Sequence, residues 1–449
     1  MKNIFILIFV LLVSLGANSQ CFKSVSVGAE HTLVVKADGT LWVWGSNLHG
    51  EAGLQTIENP IYTPRKIGFD NNWDKVFADG TVSFAIKTDG TLWAWGENTW
   101  GQLGSGFQGN YFYPVPIGSD TDWAFISSGV STLARKSDGT LWGWGANIYG
   151  QLNLGETSLE LNPVQISTTT YWKKVLSGGH HTLAIKTDGT LWTCGLNDYG
   201  QLGDGSNMDS YNFIQIGTDN NWEDISGNYR HSVALKTDGT LWGWGKNDNN
   251  ALGLGSLFQV DIPTQIGTDK DWAKVSTSSG YTIAIKENGT LWITDYSDSS
   301  NGLQQIGTEN DWIFIESGTV FFFAMKTDGT LWGWGWNNNG QLGVGMSIES
   351  TTNSLIQLDC SSFIEVGVEQ LNSLSPIMVY PNPTNDVLAI KNKSNTSILE
   401  IKLSSLSGKV LLKETTNFST VNIQSLQSGI YILRITLEDK IYTQKIFKK

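Results

Sequence analysis

Positive charge is scarce in this sequence, and so are cysteine, proline and histidine. Lys and Arg number 29 against 42 Asp and Glu, for a net charge of −13. A deficit of cations that large argues against a nucleic acid or an anionic membrane as partner. Three cysteines exclude a small scaffold stapled by many disulfides, and nine prolines exclude collagen-like or proline-rich sequence. Charged residues make up 16% and hydrophobic residues 40%, so apolar material for a core is ample and disorder has no compositional basis. Long hydrophobic runs are missing except at residues 4–13, after Lys2 and before Ala17-Asn18-Ser19. That pattern is a cleaved secretory signal over 1–19, with small residues at the −3 and −1 places and a mature chain starting at Gln20. A membrane anchor is the rival reading, but the run is short for a span and nothing like it recurs, so no transmembrane segment is expected in the mature chain.

Glycine, at 50, and tryptophan, at 20, are in excess. The segment Asp-Gly-Thr-Leu-Trp starts at Asp38, Asp89, Asp138, Asp188, Asp238 and Asp328, and Asn288-Gly289-Thr290-Leu291-Trp292 is a seventh copy. A fixed spacing of about 50 residues marks a repeat architecture. Asp-Gly between two apolar runs predicts a tight hairpin, and each unit reads as four strands. In the strand after the turn, Trp142 and Trp144 share one face while Leu141, Gly143 and Gly145 share the other, as a period of two requires. Sheets stacked on copies of themselves would seat the indole of one against the glycine of the next, with Trp142 in the core. Seven four-stranded units can stack openly or close radially, and seven lies within the usual range for a closed ring. The expected fold class is all-β: a seven-bladed β-propeller over 20–367, a linker at 368–375 and a small C-terminal β-sandwich at 376–449.

The repeat resembles the regulator of chromosome condensation family, on Trp95-Gly96-x-Asn98-x-x-Gly101-Gln102-Leu103-Gly104 and its copies across residues 22–358. The resemblance implies the propeller fold. The founding role of that family, nucleotide exchange on a small GTPase with chromatin binding, fits poorly with an acidic, exported propeller. The sixth copy lacks the Asn-x-x-Gly-Gln-Leu-Gly loop after Trp292, so its blade should be truncated. In a closed ring, Cys21 before the first strand and Cys360 after the last would come together as a disulfide, the alternative being two unpaired thiols. Cys194 stands where other units carry a second Trp and reads as a small buried residue.

Residues 374–449 carry a net charge of +5 and no Trp, while residues 20–373 carry −19. This tail holds Tyr380-Pro381-Asn382-Pro383, Gly408, Gly429, Tyr431 and Lys445, and resembles the type A sorting domain of the type IX secretion system of Bacteroidetes. The resemblance implies passage across the outer membrane, contact with the secretion machinery, and a secreted or surface location.

Chemistry is sparse. His31, His181 and His231 occupy equivalent places in separate units, no nucleophile–base set stands out, and the Asp-rich linkers lack calcium-loop spacing, so no catalytic, metal or cofactor residues are assigned. Equivalent loop places carry His49, Trp100, Tyr149, Tyr199, Asn249 and Asn339, and Tyr111-Phe112-Tyr113 lies in the variable loop of the second unit. Either these rings cover their own loops or they form an aromatic arc for a partner. The expected function is a non-enzymatic exported module whose candidate face is His49, Trp100, Tyr149, Tyr199, Tyr111 and Tyr113, binding an unknown protein or glycan and not a nucleic acid. An enzyme with a site at the axis and a structural or adhesive surface component are the alternatives.

Overall fold

Each Asp-Gly turn is locked by the threonine and tryptophan that follow it. Asp138 Oδ1 accepts from the Thr140 amide at 2.9 Å and hydroxyl at 2.7 Å, and Thr140 Oγ1 accepts the Trp142 indole N–H at 3.0 Å. Gly139 has φ +84°, and a Cβ there would lie 2.7 Å from the Thr170 carbonyl oxygen, so the turn requires glycine twice over. The other copies repeat the relay, with Asn288 replacing aspartate in the sixth.

The computed structural model describes residues 21–54, 56, 58–156, 158–294, 302–345, 351–363, 377–380, 386–392, 397–405, 409–416, 418–427, 429–438 and 441–448. The chain divides into two compact units that meet between Phe363 and Ile364. In the first unit seven sheets of four consecutive antiparallel strands form blades over 22–66, 73–116, 123–167, 172–215, 222–265, 272–306 and 312–358. Blade three shows the plan, with Trp123–Ser127, Ser131–Lys136, Leu141–Ala146 and Leu159–Ser167 in order. The first strands of all seven blades surround a central channel of about 680 Å³. Blade six is reduced as expected, its last two strands being only Leu291–Ile293 and Gln304–Ile306; residues 295–301 between them lie outside the described residues.

The two kinds of repeat indole behave differently. The second Trp of the strand is fully buried at a blade junction: Trp144 donates to the Gln102 carbonyl of blade two at 2.8 Å, beside the Thr132 hydroxyl at 2.7 Å on the same oxygen. Its glycine partner is Gly104, in the loop of the preceding blade, where a Cβ would lie 2.8 Å from the indole nitrogen. This corrects the expected pairing with strand glycines. Gly143 faces Leu152 of its own blade, and Gly145 sits against the Val130 carbonyl and the Gln102 backbone of blade two; neither receives an indole, because the indole reaches the loop end of its neighbour. Cys194 takes the indole's place in blade four, buried, with Sγ 3.7 Å from the Gln151 carbonyl oxygen. Burial pushes its thiol pKa up.

The first Trp of the strand is half-buried in every blade but the first, which corrects the assignment of Trp142 to the core. Its ring covers a lysine. Lys136 Nζ lies 4.9 Å from the Trp123 ring and 4.5 Å from the Trp142 ring, and pairs with Asp120 at 2.6 Å and Asp122 at 3.1 Å. Lys87, Lys236, Lys286 and Lys326 are clamped alike. An ammonium cannot be buried without its counter-ion and some water, so the ring above it stays near the rim. The aspartates of the inter-blade linkers are therefore lysine partners as well as turn residues.

The seventh blade meets the first through the same contacts. Trp44 Nε1 donates to the Gln341 carbonyl at 2.8 Å, the Thr32 hydroxyl donates to it at 3.1 Å, and a Cβ on Gly343 would lie 2.9 Å from Trp44 Nε1. The ring is closed. No strand is shared between the ends, and the Cys21–Cys360 disulfide, with Cα atoms 6.2 Å apart and a sequence separation of 339, is the covalent fastening. The core lies between blades, as where Leu133, Leu141 and Leu152 of blade three pack on Trp172, Val175 and Ala184 of blade four.

The second unit is a small sandwich. Ile377–Tyr380, Val387–Asn392 and Thr420–Asn422 form one sheet, and Val410–Glu414, Ile398–Ser405, Gly429–Leu437 and Ile441–Lys448 the other. Leu388 and Val421 from the first meet Ile401, Leu433 and Ile446 from the second in one core. Tyr380, Gly429 and Lys445 lie in strands, and the Tyr431 hydroxyl donates to the Gln427 carbonyl at 2.8 Å. Pro381, Asn382, Pro383 and Gly408 lie outside the described residues, as do the signal segment 1–19 and the linker 368–375.

Candidate functional site

In a four-stranded meander the turn from first to second strand and the loop from third to fourth emerge on the same side, so each blade adds one turn and one loop to a common face. The loops are rigid by construction. In blade two Asn98 Oδ1 accepts the Leu103 amide at 2.9 Å, Asn98 Nδ2 donates to the Phe107 carbonyl at 2.6 Å, and the Trp100 amide donates to Gln102 Oε1 at 2.8 Å. The Tyr149, Tyr199 and Asn339 amides make the equivalent bond to Gln151, Gln201 and Gln341, and His49 makes it to Glu51.

On these loops Trp100 is exposed, at 42%, while His49, Tyr149 and Tyr199 are half-buried. The Tyr149 ring stands edge-on to His180 at 5.5 Å, and His180 meets Tyr229 at 5.5 Å, giving an aromatic row that runs from the loops to the channel mouth. Tyr199 is covered by Arg230 at 5.2 Å and Lys246 at 4.7 Å. Tyr111-Phe112-Tyr113 is not in a loop but opens the fourth strand of blade two, Tyr111–Pro116, because Tyr111 pairs with Gly96. Tyr111 packs toward the core, half-buried, while Phe112 and Tyr113 are both exposed, the regular alternation being interrupted by the register shift between the Gly96–Tyr111 and Ala94–Val115 pairs. Phe107, Phe258 and Trp336, not among the candidate face residues read from the sequence, are also exposed at or beside the loop ends.

The histidines of the repeat are buried structural groups. His31 and His181 bond Ser83 and Ser232 of the next blade, each at 2.9 Å. Burial lowers the pKa of His31 to about 4, of His181 to about 3 and of His231 to about 4, so all three are neutral in the folded protein.

Two carboxylates missed in the sequence line the channel. Glu316 stands where blades one, three, five and six have Ser26, Ser127, Ser226 and Ser276, whose hydroxyl oxygens accept the Ala78, Ser177, Thr277 and Ser317 amides of the following blades. These bonds satisfy inner edge strands that have no further strand to pair with. At the closing junction Glu316 Oε1 accepts the Ser26 hydroxyl at 2.6 Å and the Val27 amide at 3.2 Å. Asp79 stands where blades one, three, four and seven have Gly28, Gly129, Gly178 and Gly318. Enclosure by the ring raises Asp79 to about 8 and Glu316 to about 7. Aligning the first strands would have exposed both as breaks in the repeat.

These shifts set the dependence of stability on pH. A carboxyl whose folded pKa is raised binds a proton in the folded state before it does so unfolded, so Asp79 and Glu316 destabilise the fold as pH rises from about 4 to about 8. The three histidines act oppositely, and their contribution is lost as pH falls below about 6.5. The thermal midpoint should therefore peak at about pH 6–7, and Asp79→Asn/Glu316→Gln should raise it at pH 8.5 by the equivalent of about 1–3 kcal/mol while leaving it unchanged near pH 4. An equal gain at both pH values in calorimetry would contradict enclosure of these carboxyls.

Residues 89–132, 138–185, 188–235, 238–285 and 328–355 match the Regulator of chromosome condensation (RCC1) repeat, and a second form of the same repeat matches 22–51, 172–201, 222–251 and 312–341. The chain belongs to the regulator of chromosome condensation repeat family. Human WBSCR16 shares this repeat fold with a TM-score of 0.62 at 18% identity, covering 71% of this chain and 94% of that one. Prp20p of Saccharomyces cerevisiae does so with 0.58 at 21%, covering 67% and 80%. Among curated proteins with the repeat, the probable E3 ubiquitin-protein ligase HERC3 of Homo sapiens is 36% identical over 89 residues, 19% of this chain and 8% of that protein. The ultraviolet-B receptor UVR8 of Arabidopsis thaliana is 32% identical over 99 residues, 22% of each. The chain spans less than a quarter of the length of these curated relatives, and the shared property is the repeat. Residues 378–449 match the Secretion system C-terminal sorting domain, which indicates export to the cell surface or beyond. Among the described residues no helix is long and apolar enough to cross a membrane.

Proposed function

We propose that this chain is an exported, non-enzymatic regulator of chromosome condensation repeat propeller that holds a macromolecular partner, protein or glycan, on its loop face. Residues 1–19 direct it through the Sec route, and the 376–449 tail hands it to the type IX machinery. The reading is supported chiefly by aromatic residues left exposed on rigid loops, Trp100 above all, where a ring gains nothing by exposure unless another surface covers it. Pull-down from the native environment with the parent and with Trp100→Ala/Tyr113→Ala tests it. The double variant should keep its thermal midpoint and lose at least about tenfold in partner recovery, in the range of one hot-spot contact. Equal recovery would remove this face from consideration. A site for catalysis at the axis is favoured only by the enclosed Asp79 and Glu316; no group of three or more potential metal ligands occurs among the described residues.

A further inference from the structure

The net negative charge of the propeller is not spread evenly. On the face opposite the loops, lysines and aspartates neutralise one another in the indole clamps. On the loop face Glu30, Glu97, Asp198, Asp204 and Asp209 confront few cations. Of those cations, Arg65 is held by Glu58 at 3.1 Å and Lys246 by Asp248 at 2.5 Å, and Arg230 lies over Tyr199.

The channel carries the same polarity. Arg135, Lys174 and Lys274 line the end near the opening Trp of each blade, and Lys174 pairs with Asp224. Asp79 lies four strand positions further toward the loop face than Lys174, about 13 Å at the rise of a strand. Among the described residues Asp79 makes no ion pair, and after burial the charge of Glu316 adds to the forces that keep it protonated. The ligands of Glu316 are a hydroxyl and an amide, not a cation. Ser317, whose buried hydroxyl has no partner among the described residues, lines the same stretch. Tyr229, 47% exposed, stands at the mouth on the turn after the first strand of blade five, where partial burial, and then the charge of Asp79 and Glu97, oppose its ionisation.

We infer that the loop-face mouth of the channel is a socket for a lysine or arginine side chain, presented by an extended basic segment of a protein partner. The alkyl stem would lie on Tyr229 and the charged head would enter between Asp79 and Glu316. Attraction to the acidic face brings the segment in, and the enclosed carboxylates distinguish the socket from the surface around it. The inference rests on the loop-face reading above and names the chemistry of its partner.

Proton linkage gives the test. Ordinary surface carboxylates stay ionised from pH 6 to 9, whereas Asp79 and Glu316 must release protons in that interval before they can hold a cation well. Among the described residues, the other titratable or charged groups around the channel are Glu97, Tyr229, His31, His180 and His181, with Arg135, Lys173, Lys174, Asp224 and Lys274 at the far end, Lys173 being paired with Glu223. His31 and His181, with pKa values of about 4 and about 3, stay neutral over this interval, and burial and nearby negative charge hold Tyr229 protonated.

A fluorescein-labelled hexa-arginine peptide, titrated by anisotropy into the full exported chain at fixed salt, should bind about tenfold or more tightly at pH 9 than at pH 6, as one proton released per cation bound requires. Asp79→Asn/Glu316→Gln should lose that pH dependence and bind about tenfold more weakly at pH 9, whereas Glu58→Gln/Asp204→Asn should retain it. Binding independent of pH, or equal in parent and Asp79→Asn/Glu316→Gln, would overturn the socket. With the native partner, unchanged recovery by Asp79→Asn/Glu316→Gln together with loss by Trp100→Ala/Tyr113→Ala would overturn the socket and leave the loop-face reading standing. Unchanged recovery by both variants would overturn both.

Discussion

Trp144→Ala should lower the unfolding free energy by about 3–5 kcal/mol, the usual range for deleting a large aromatic ring from a core. Trp144 is fully buried, gives its indole proton to the Gln102 carbonyl of the preceding blade, and packs on Gly104 and on the rings of Phe84 and Trp123. Truncation removes the packing and leaves one donor fewer on a carbonyl that Thr132 still reaches. Trp142, two residues earlier on the same strand, is half-buried over Lys136, and its alanine variant should lose only about 1–2 kcal/mol, from partial burial and one cation–π contact. Urea denaturation followed by circular dichroism orders the pair. A larger loss for Trp142 would mean that the lysine clamps, and not the buried junction indoles, hold the blades together.

Breaking the Cys21–Cys360 bond should have the largest effect of any covalent change. The bond closes a loop of 339 residues, for which chain entropy alone gives about 5–6 kcal/mol, reduced by whatever structure the unfolded chain retains. Cys21→Ser/Cys360→Ser should therefore shift the denaturation midpoint well below that of the oxidised parent, and a reductant should bring the parent to the same place. Cys194 will not substitute as a partner, because it is buried at the junction of blades three and four and burial pushes its thiol pKa up. Identical midpoints for oxidised and reduced chains would show that the ends meet without help from the bridge.

The repeat period and the Asp-Gly hairpins could be read from sequence because each depends on residues close together in one unit. What crosses a junction was not legible in the same way. The glycine that receives Trp144 lies about 40 residues upstream in another blade, so the alternation within one strand pointed to the wrong partner. The Asp-rich linkers showed only that they lack calcium-loop spacing; that Asp120 pairs with Lys136, under two indoles, appears only once the fold brings them together. Tyr111 was grouped with its exposed neighbours, but pairing with Gly96 turned it inward. Tyr229, which adjoins the channel mouth, sits in a turn where the repeat varies most, so no pattern singled it out; Asp79 and Glu316 were hidden because their places hold glycine or serine in only four of the seven blades, and neither place is flagged by the Asp-Gly-Thr-Leu-Trp repeat.

Closure of the ring is tested most directly at the Val27 amide. Its N–H donates to Glu316 of the last blade, just as the Ala78 N–H donates to Ser26 of the first. With Cys21 and Cys360 reduced and alkylated, so that no bridge holds the ends, hydrogen–deuterium exchange should find Val27 as protected as Ala78. Rapid exchange at Val27 and at Thr319, whose amide donates to Ala29, with Ala78 still protected, would mean that blades one and seven do not meet.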